Sequence, residues 1–229
     1  MARDLDMDVV VVPPAEWAET AAQRIAKTLE AARTVVLAGG NSPRAVYTRL
    51  VTRTLAWDQI DVYFGDERAV PPDDPSSNYG MAAETLLDPA RVPSERRHRM
   101  PAERQDREAA AREYAELLPD RPDLLLVGIG ADGHIASLFP GSPAVMEQEQ
   151  RVIPVEGPGS AGWRLTVTPP VIAAARSRIV LAYGNSKAAA VERALVGSGA
   201  VSDCPARLVR EAVWMLDREA ASRLGRTAP

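Results

Sequence analysis

Asp123-Leu-Leu-Leu-Val-Gly-Ile-Gly-Ala-Asp-Gly-His-Ile-Ala-Ser-Leu-Phe-Pro-Gly141 decides how the chain folds. After one charged residue the run stays apolar to Ile129, which predicts a parallel strand covered on both faces. Gly128, Gly130 and Gly133 then let the backbone turn sharply beyond the strand's carboxyl end, where open α/β sheets hold their ligands. His134 stands in that turn.

The same glycines satisfy Gly-x-Gly-x-x-Gly, so a dinucleotide site competes for the motif. Such a site needs a helix opening at the third glycine, a returning strand, and an acidic residue about 20 positions on for the ribose. Pro140, Gly141 and Pro143 stop any helix within about two turns. Glu156 lies at a suitable distance, but Pro154 interrupts Val152-Ile-Pro-Val155 and argues against a strand there. The expectation is therefore no nicotinamide. Alone, His134 could also be read as a histidine that merely satisfies its turn; its company decides.

Outward from this stretch, apolar runs alternate with amphipathic ones. Strands are expected at Asp8–Val12, Thr34–Ala38, Ile60–Phe64, Arg164–Thr168, Arg178–Tyr183 and Ala212–Leu216. Helices are expected from Pro14 to Arg33, Pro43 to Leu55, Asn78 to Leu87, Glu103 to Leu118 and Ser186 to Val196, with the charged stretch from Arg91 read as a solvated loop leading into the fourth. Repeated alternation of this kind predicts a Rossmann-like α/β fold: a mainly parallel, twisted sheet with helices on both faces.

The 229 residues carry no composition shift or Ser/Gly-rich linker, so residues 1–229 read as one α/β domain. With 27 basic and 31 acidic residues, net charge -4, there is no general attraction to nucleic acid or to an acidic membrane. No basic and apolar leader and no run of roughly 18 apolar residues is present, which fits a cytoplasmic location. A single cysteine, Cys204, excludes an intramolecular disulfide and a cysteine-based metal cluster, and it reads as a small packing residue. Neither a metal nor an obligate protein partner is expected.

Other segments at strand ends could carry chemistry. Ala38-Gly-Gly-Asn-Ser-Pro43 connects a buried strand to a helix, so the amides of Gly39 and Gly40 and the hydroxyl of Ser42 would sit at the helix's positive end and could bind phosphate. Its plainer role is a capped helix with Ser42 as N-cap and Pro43 in first position. It is no P-loop, because the Walker lysine is missing. Gly65-Asp-Glu-Arg68 places three charges at a strand's carboxyl end, where all three should face the same cleft unless they form a solvated turn. Ser77-Asn78 reads as a helix cap. Arg164 and Lys187, surface cations if taken singly, would with the Ser42 turn make a phosphate pocket in which arginine clamps two oxygens and lysine supplies a point charge.

This combination resembles the 6-phosphogluconolactonases, from about Val35 to Val196. The carrying segments are Gly39-Gly-Asn-Ser-Pro43, Gly65-Asp-Glu-Arg68, Pro75-Ser-Ser-Asn-Tyr79, the long run from Gly128 to Gly141, and the Lys187 turn. The resemblance implies a Rossmann-like fold shared with glucosamine-6-phosphate isomerase/deaminases, a sugar-phosphate lactone as substrate, and no metal or cofactor. It implies His134 as acid/base with Asp132 beside it. Gly39, Gly40, Asn41 and Ser42, with Arg164 and Lys187, fall toward the phosphate, Asp66 falls among the substrate contacts, and Arg68 contacts the substrate or its phosphate. Ser42 replaces a threonine frequent in that loop and keeps the hydroxyl. In the related deaminases the histidine motif continues toward Asn-Glu-Pro, whereas here it runs Ser137-Leu-Phe-Pro-Gly141, which favours the lactonase. A non-enzymatic sugar-phosphate sensor is the rival of another class.

Overall fold

The apolar run after Asp123 forms strand β5 (Leu124–Gly128), and four of its five residues are buried. Asp123 itself is tied down: Oδ2 accepts from the amides of Arg33 (2.9 Å) and Thr34 (3.1 Å), and its own amide donates to the Thr34 hydroxyl at 2.8 Å. One carboxylate thus sets the register between β5 and the strand beginning at Thr34. The computed structural model describes residues 8–159 and 162–225.

In chain order the remaining elements are β1 (Val9–Val12), α1 (Pro14–Leu29), β2 (Thr34–Leu37), α2 (Asn41–Leu50), β3 (Asp61–Phe64), β4 (Asp66–Arg68) and α3 (Asn78–Ala82). After these come α4 (Arg107–Leu117), β5, β6 (Val152–Glu156), β7 (Trp163–Val167), α5 (Pro169–Ala174), β8 (Ser177–Ala182), α6 (Ala188–Leu195) and β9 (Val213–Asp217). Six strands form one sheet in the order β1-β9-β8-β5-β2-β3, every pair parallel. From β2 the chain moves outward to β3, and from β5 it moves the other way to β8 and β9. The order therefore reverses between β2 and β5, which opens a crevice beyond their carboxyl ends.

Two buried tyrosines fix the strand ends that border this crevice. The Tyr47 hydroxyl on α2 donates to the Ala38 carbonyl (2.8 Å) and accepts its amide (3.0 Å). The Tyr114 hydroxyl on α4 accepts the Phe64 amide at 2.8 Å and donates to the His98 carbonyl at 3.1 Å. Both side chains end where backbone groups would otherwise lie unpaired, and burial raises the pKa of each phenol.

A second sheet, β4-β7-β6, is antiparallel and departs from the sequence expectation in three ways. Alternation alone puts Arg164–Thr168 among the parallel strands; it is instead the centre of this small sheet. Val152–Glu156 is a strand in spite of Pro154, because it is the edge strand and the missing amide hydrogen is not needed by a neighbour. Gly65-Asp-Glu-Arg68 is no turn, since Asp66, Glu67 and Arg68 pair with Thr166, Leu165 and Arg164. Helix ends also shift: α2 starts two residues earlier and α4 four residues later than periodicity alone suggests. Among the described residues no helix is long and apolar enough to cross a membrane.

Candidate active site

Gly39, Gly40, Asn41, Ser42, Asp66, Arg68, His134, Arg164 and Lys187 line one cleft of about 770 Å³ at the switch between β2 and β5. Segments far apart in sequence meet there because each lies after, or abuts, a carboxyl end of the sheets.

The His134 turn is built from its own residues. Gly130 accepts the Gly133 amide at 3.0 Å and donates its own to the His134 carbonyl at 2.9 Å, closing a tight loop. Within it Oδ1 of Asp132 lies 2.6 Å from Nδ1 of His134 and accepts the His134 amide at 3.1 Å. Burial acts to raise the Asp132 carboxyl, but the His134 amide and imidazole outweigh it and hold the pKa below the ordinary carboxylate value. This contact holds the imidazole in one orientation within the turn. The Phe139 ring tilts against the imidazole with centroids 5.0 Å apart. Nδ1 faces Asp132, which leaves Nε2 as the ring nitrogen that Asp132 does not engage.

Beyond His134 the loop stays strained and pinned. Ala136 is left-handed (φ 48°), which costs a non-glycine residue roughly 1–2 kcal/mol. Ser137 holds it, donating its amide to Thr166 Oγ1 (3.1 Å) and its hydroxyl to Asp66 Oδ2 (2.7 Å). Ser137 is fully buried, and in the sequence it is no more than one letter of the histidine motif.

The Gly39 turn departs from expectation at its cap. Gly40, with φ 97°, is the N-cap of α2, Ser42 lies inside the first turn, and Pro43 is the third helical residue. Ser42 is thus not spent on capping, and its hydroxyl belongs to the cleft. Gly39 has no room for a side chain, since a Cβ there would overlap the Asn78 amide.

β4 sorts its charges by strand alternation. Asp66 and Arg68 line the cleft, whereas Glu67, expected beside them, points the other way and is 3% exposed. Its carboxylate accepts from the amides of Arg68, Asn78 and Tyr79 and from the Ser77 hydroxyl, at 2.7 to 2.9 Å. Burial nevertheless raises its pKa above the ordinary value. Ser77 caps α3 as expected, accepting the Gly80 amide at 3.0 Å. Asn78 does more: it is 2% exposed and reaches the cleft.

Three cations converge without a carboxylate partner among the described residues. Arg68 donates to the Ser76 carbonyl and, at 2.9 Å, to Asn78 Oδ1. Arg164, its direct cross-strand neighbour, has a buried Nε with no partner and its guanidinium 5.6 Å from the Phe139 ring centre. Burial lowers the Arg164 pKa; the charge of Asp66 opposes the shift and that of Arg68 adds to it. Lys187 is half-buried, and burial lowers its pKa against the pull of Asp132. Such a pocket is arranged for an anion. Cys204 is buried, as a packing residue should be, and no group of three or more His, Cys, Asp or Glu suited to a metal occurs among the described residues.

Known proteins resemble this chain in both sequence and backbone. The chain is 37% identical to the 6-phosphogluconolactonase of Streptomyces coelicolor, covering 92% of this chain and 91% of the relative. A solved 6-phosphogluconolactonase from Trypanosoma brucei superposes with a TM-score of 0.81 at 30% identity, over 96% of this chain and 99% of that one. A monomeric glucosamine-6-phosphate deaminase superposes equally well, with a TM-score of 0.85 at 26% identity over 95% and 100%. The backbone is thus common to both activities, and the sequence separates them. From Pro13 to Leu216 the chain matches the model of the glucosamine-6-phosphate isomerases/6-phosphogluconolactonase family, and it belongs to that family.

Proposed function

We propose that the protein hydrolyses 6-phospho-D-glucono-1,5-lactone to 6-phospho-D-gluconate, a step of the oxidative pentose phosphate pathway. One observation carries this reading: a single cleft holds a histidine oriented by a carboxylate and, with it, three cations lacking a carboxylate partner among the described residues. The first suits proton transfer at a carbonyl, the second a phosphate remote from it. The identity to 6-phosphogluconolactonases and the Ser137-Leu-Phe-Pro-Gly141 continuation support the lactonase over the deaminase.

In this mechanism Arg68, Arg164 and Lys187, with Ser42 and the amides of the Gly39 turn, hold the phosphate. That binding energy orients C1 toward His134. Neutral His134 takes a proton through Nε2 from the attacking water as its oxygen bonds to C1. The imidazolium so formed is balanced by Asp132. When the tetrahedral intermediate collapses, the C1 to ring-oxygen bond breaks and His134 returns the proton to that oxygen. Asp66 already receives hydrogen bonds from Asn78 and Ser137, so it frames the pocket more than it holds substrate. The chain would act as one α/β domain in the cytoplasm, needing no cofactor and no protein partner.

The test is a lactonase assay on freshly generated substrate, corrected for spontaneous hydrolysis, beside an assay for ammonia release from glucosamine 6-phosphate. Enzyme-dependent lactone opening without ammonia release is expected. Ammonia release alone would move the protein to the deaminases, and binding without turnover of either would make it a sensor.

A further inference from the structure

Asn78 uses both ends of its side-chain amide, and its two neighbours leave only one orientation. Oδ1 accepts from the Arg68 guanidinium at 2.9 Å, and Nδ2 donates to the Asp66 carbonyl (2.9 Å) and to Asp66 Oδ1 (3.0 Å). A guanidinium can only donate and a carboxylate only accept, so a flipped amide would fail both. The residue is held from behind as well, its own amide going to Glu67 Oε1 at 2.8 Å. From Asp66 the chain of bonds continues through Oδ2 to the Ser137 hydroxyl (2.7 Å), and from the Ser137 amide to Thr166 Oγ1 (3.1 Å). Asn78, Asp66, Ser137 and Thr166 are each under a tenth exposed. Arg68 at one end faces the cleft, and at the other end Ser137 lies three residues after His134.

Buried networks of this kind are demanding: every member must be satisfied, and one satisfied arrangement excludes others. Arg68 has no carboxylate partner among the described residues, so a long side chain with many rotamers is held by two acceptors, the Ser76 carbonyl and the Asn78 amide oxygen. Backbone position sets the first and Asn78 alone supplies the second. We propose that Asn78 is a positioning residue for the Arg68 guanidinium, and that Asp66 and Ser137 carry the same frame to the loop that bears His134. The two halves of the frame then serve different parts of the substrate: Asn78 the phosphate, Ser137 the reacting carbon.

This proposal rests on the lactonase reading, so wild-type turnover of the phosphorylated lactone is measured first. Asn78→Ala is expected to raise KM for that substrate about tenfold and to weaken binding of inorganic phosphate by a similar factor, while unphosphorylated gluconolactone is affected at least about fivefold less. Ser137→Ala is expected to lower kcat about tenfold on both lactones alike and to leave phosphate affinity within about twofold of wild type. Where Asn78→Ala fails to fold, Asn78→Ser takes its place; its shorter side chain has one donor in place of the amide's two, so the same pattern is expected with a smaller loss. Phosphate binding measured by calorimetry needs no turnover, and it judges Asn78 even should the lactonase reading fail. Equal losses on the two lactones, or unchanged phosphate affinity, in the Asn78 variant overturn its assignment. Weakened phosphate binding in Ser137→Ala overturns the division of roles.

Discussion

Gly130 lies directly against His134: a Cβ at this glycine would overlap Nδ1 of the imidazole and stand 2.5 Å from Oδ1 of Asp132. The pair occupies the space that any other residue would fill. Gly130→Ala should therefore displace the imidazole without opening a cavity in the core. A misplacement of about 1 Å can cost roughly 100-fold in rate, so kcat should fall on that scale while the thermal midpoint changes little. A variant with normal kcat would show that the imidazole position is not what limits turnover.

His134→Ala and His134→Asn should lower kcat by roughly 10²–10⁴, the usual contribution of a positioned general acid/base. His98, which meets Asp61 at 2.8 Å and stacks on Tyr63, is occupied elsewhere, and His98→Asn should keep near wild-type kcat. Comparable effects at the two histidines would remove the assignment. Asp132→Asn should cost about 10- to 100-fold in kcat, because an amide cannot balance the imidazolium.

Lys187→Ala and Arg164→Ala should each cost about 1.5–3 kcal/mol in kcat/KM toward the phosphorylated lactone, as expected for a lost hydrogen bond to a charged group. Slow turnover of unphosphorylated gluconolactone should hardly change. Parallel losses on both substrates, in variants with an unaltered circular dichroism spectrum, would place the phosphate elsewhere.

Burial lowers the Lys187 pKa, so in the free protein this ammonium loses its proton earlier than an ordinary lysine near 10.4. A bound phosphate favours the charged form. Above about pH 8, where the phosphate is already fully charged, its affinity should hold steady. It should then weaken as pH climbs past the lowered Lys187 value, by at most about tenfold per pH unit for one proton. Calorimetric titration with 6-phosphogluconate checks this, and Lys187→Ala should flatten the profile. A wild-type profile that is flat would mean Lys187 does not meet the phosphate.

Exhaustive chelation should leave kcat unchanged, since the proposed steps run through His134 and Asp132 alone. Loss of activity restored by a divalent ion would demand a different mechanism.

Legible in the sequence was whatever is local. The Gly39 turn, the Gly128–His134 turn and the Lys187 turn each come directly after a strand, so alternation and glycine spacing locate them without knowledge of the fold. Glu67 is misplaced by such reasoning because a strand of three residues is too short to show its period, and alternation sends its middle residue away from the cleft. Pro154 argues against a strand that exists because edge position is a property of the sheet, not of the segment. Asn78 and Ser137 are legible as letters of their motifs, but nothing there signals the buried bonds their side chains make. Their partners lie 10 or 12 positions away for Asn78 and 71 for Ser137, and a buried amide reads the same as a helix cap until those partners are known.

Arg68 and Arg164 face each other as direct neighbours across β4 and β7. Two like charges opposed on a sheet weaken the folded state, and neither arginine makes a direct ion pair with a carboxylate among the described residues, although the charge of Asp66 acts on Arg164 against that of Arg68. If the proposed phosphate pocket is right, a bound phosphorylated substrate would relieve that repulsion. A ligand at about 100 times its Kd adds roughly 2.7 kcal/mol to folding stability. A cell with flux through this reaction would keep the protein folded longer than a starved one. Substrate supply would then govern not only how fast each molecule works but how many survive to work.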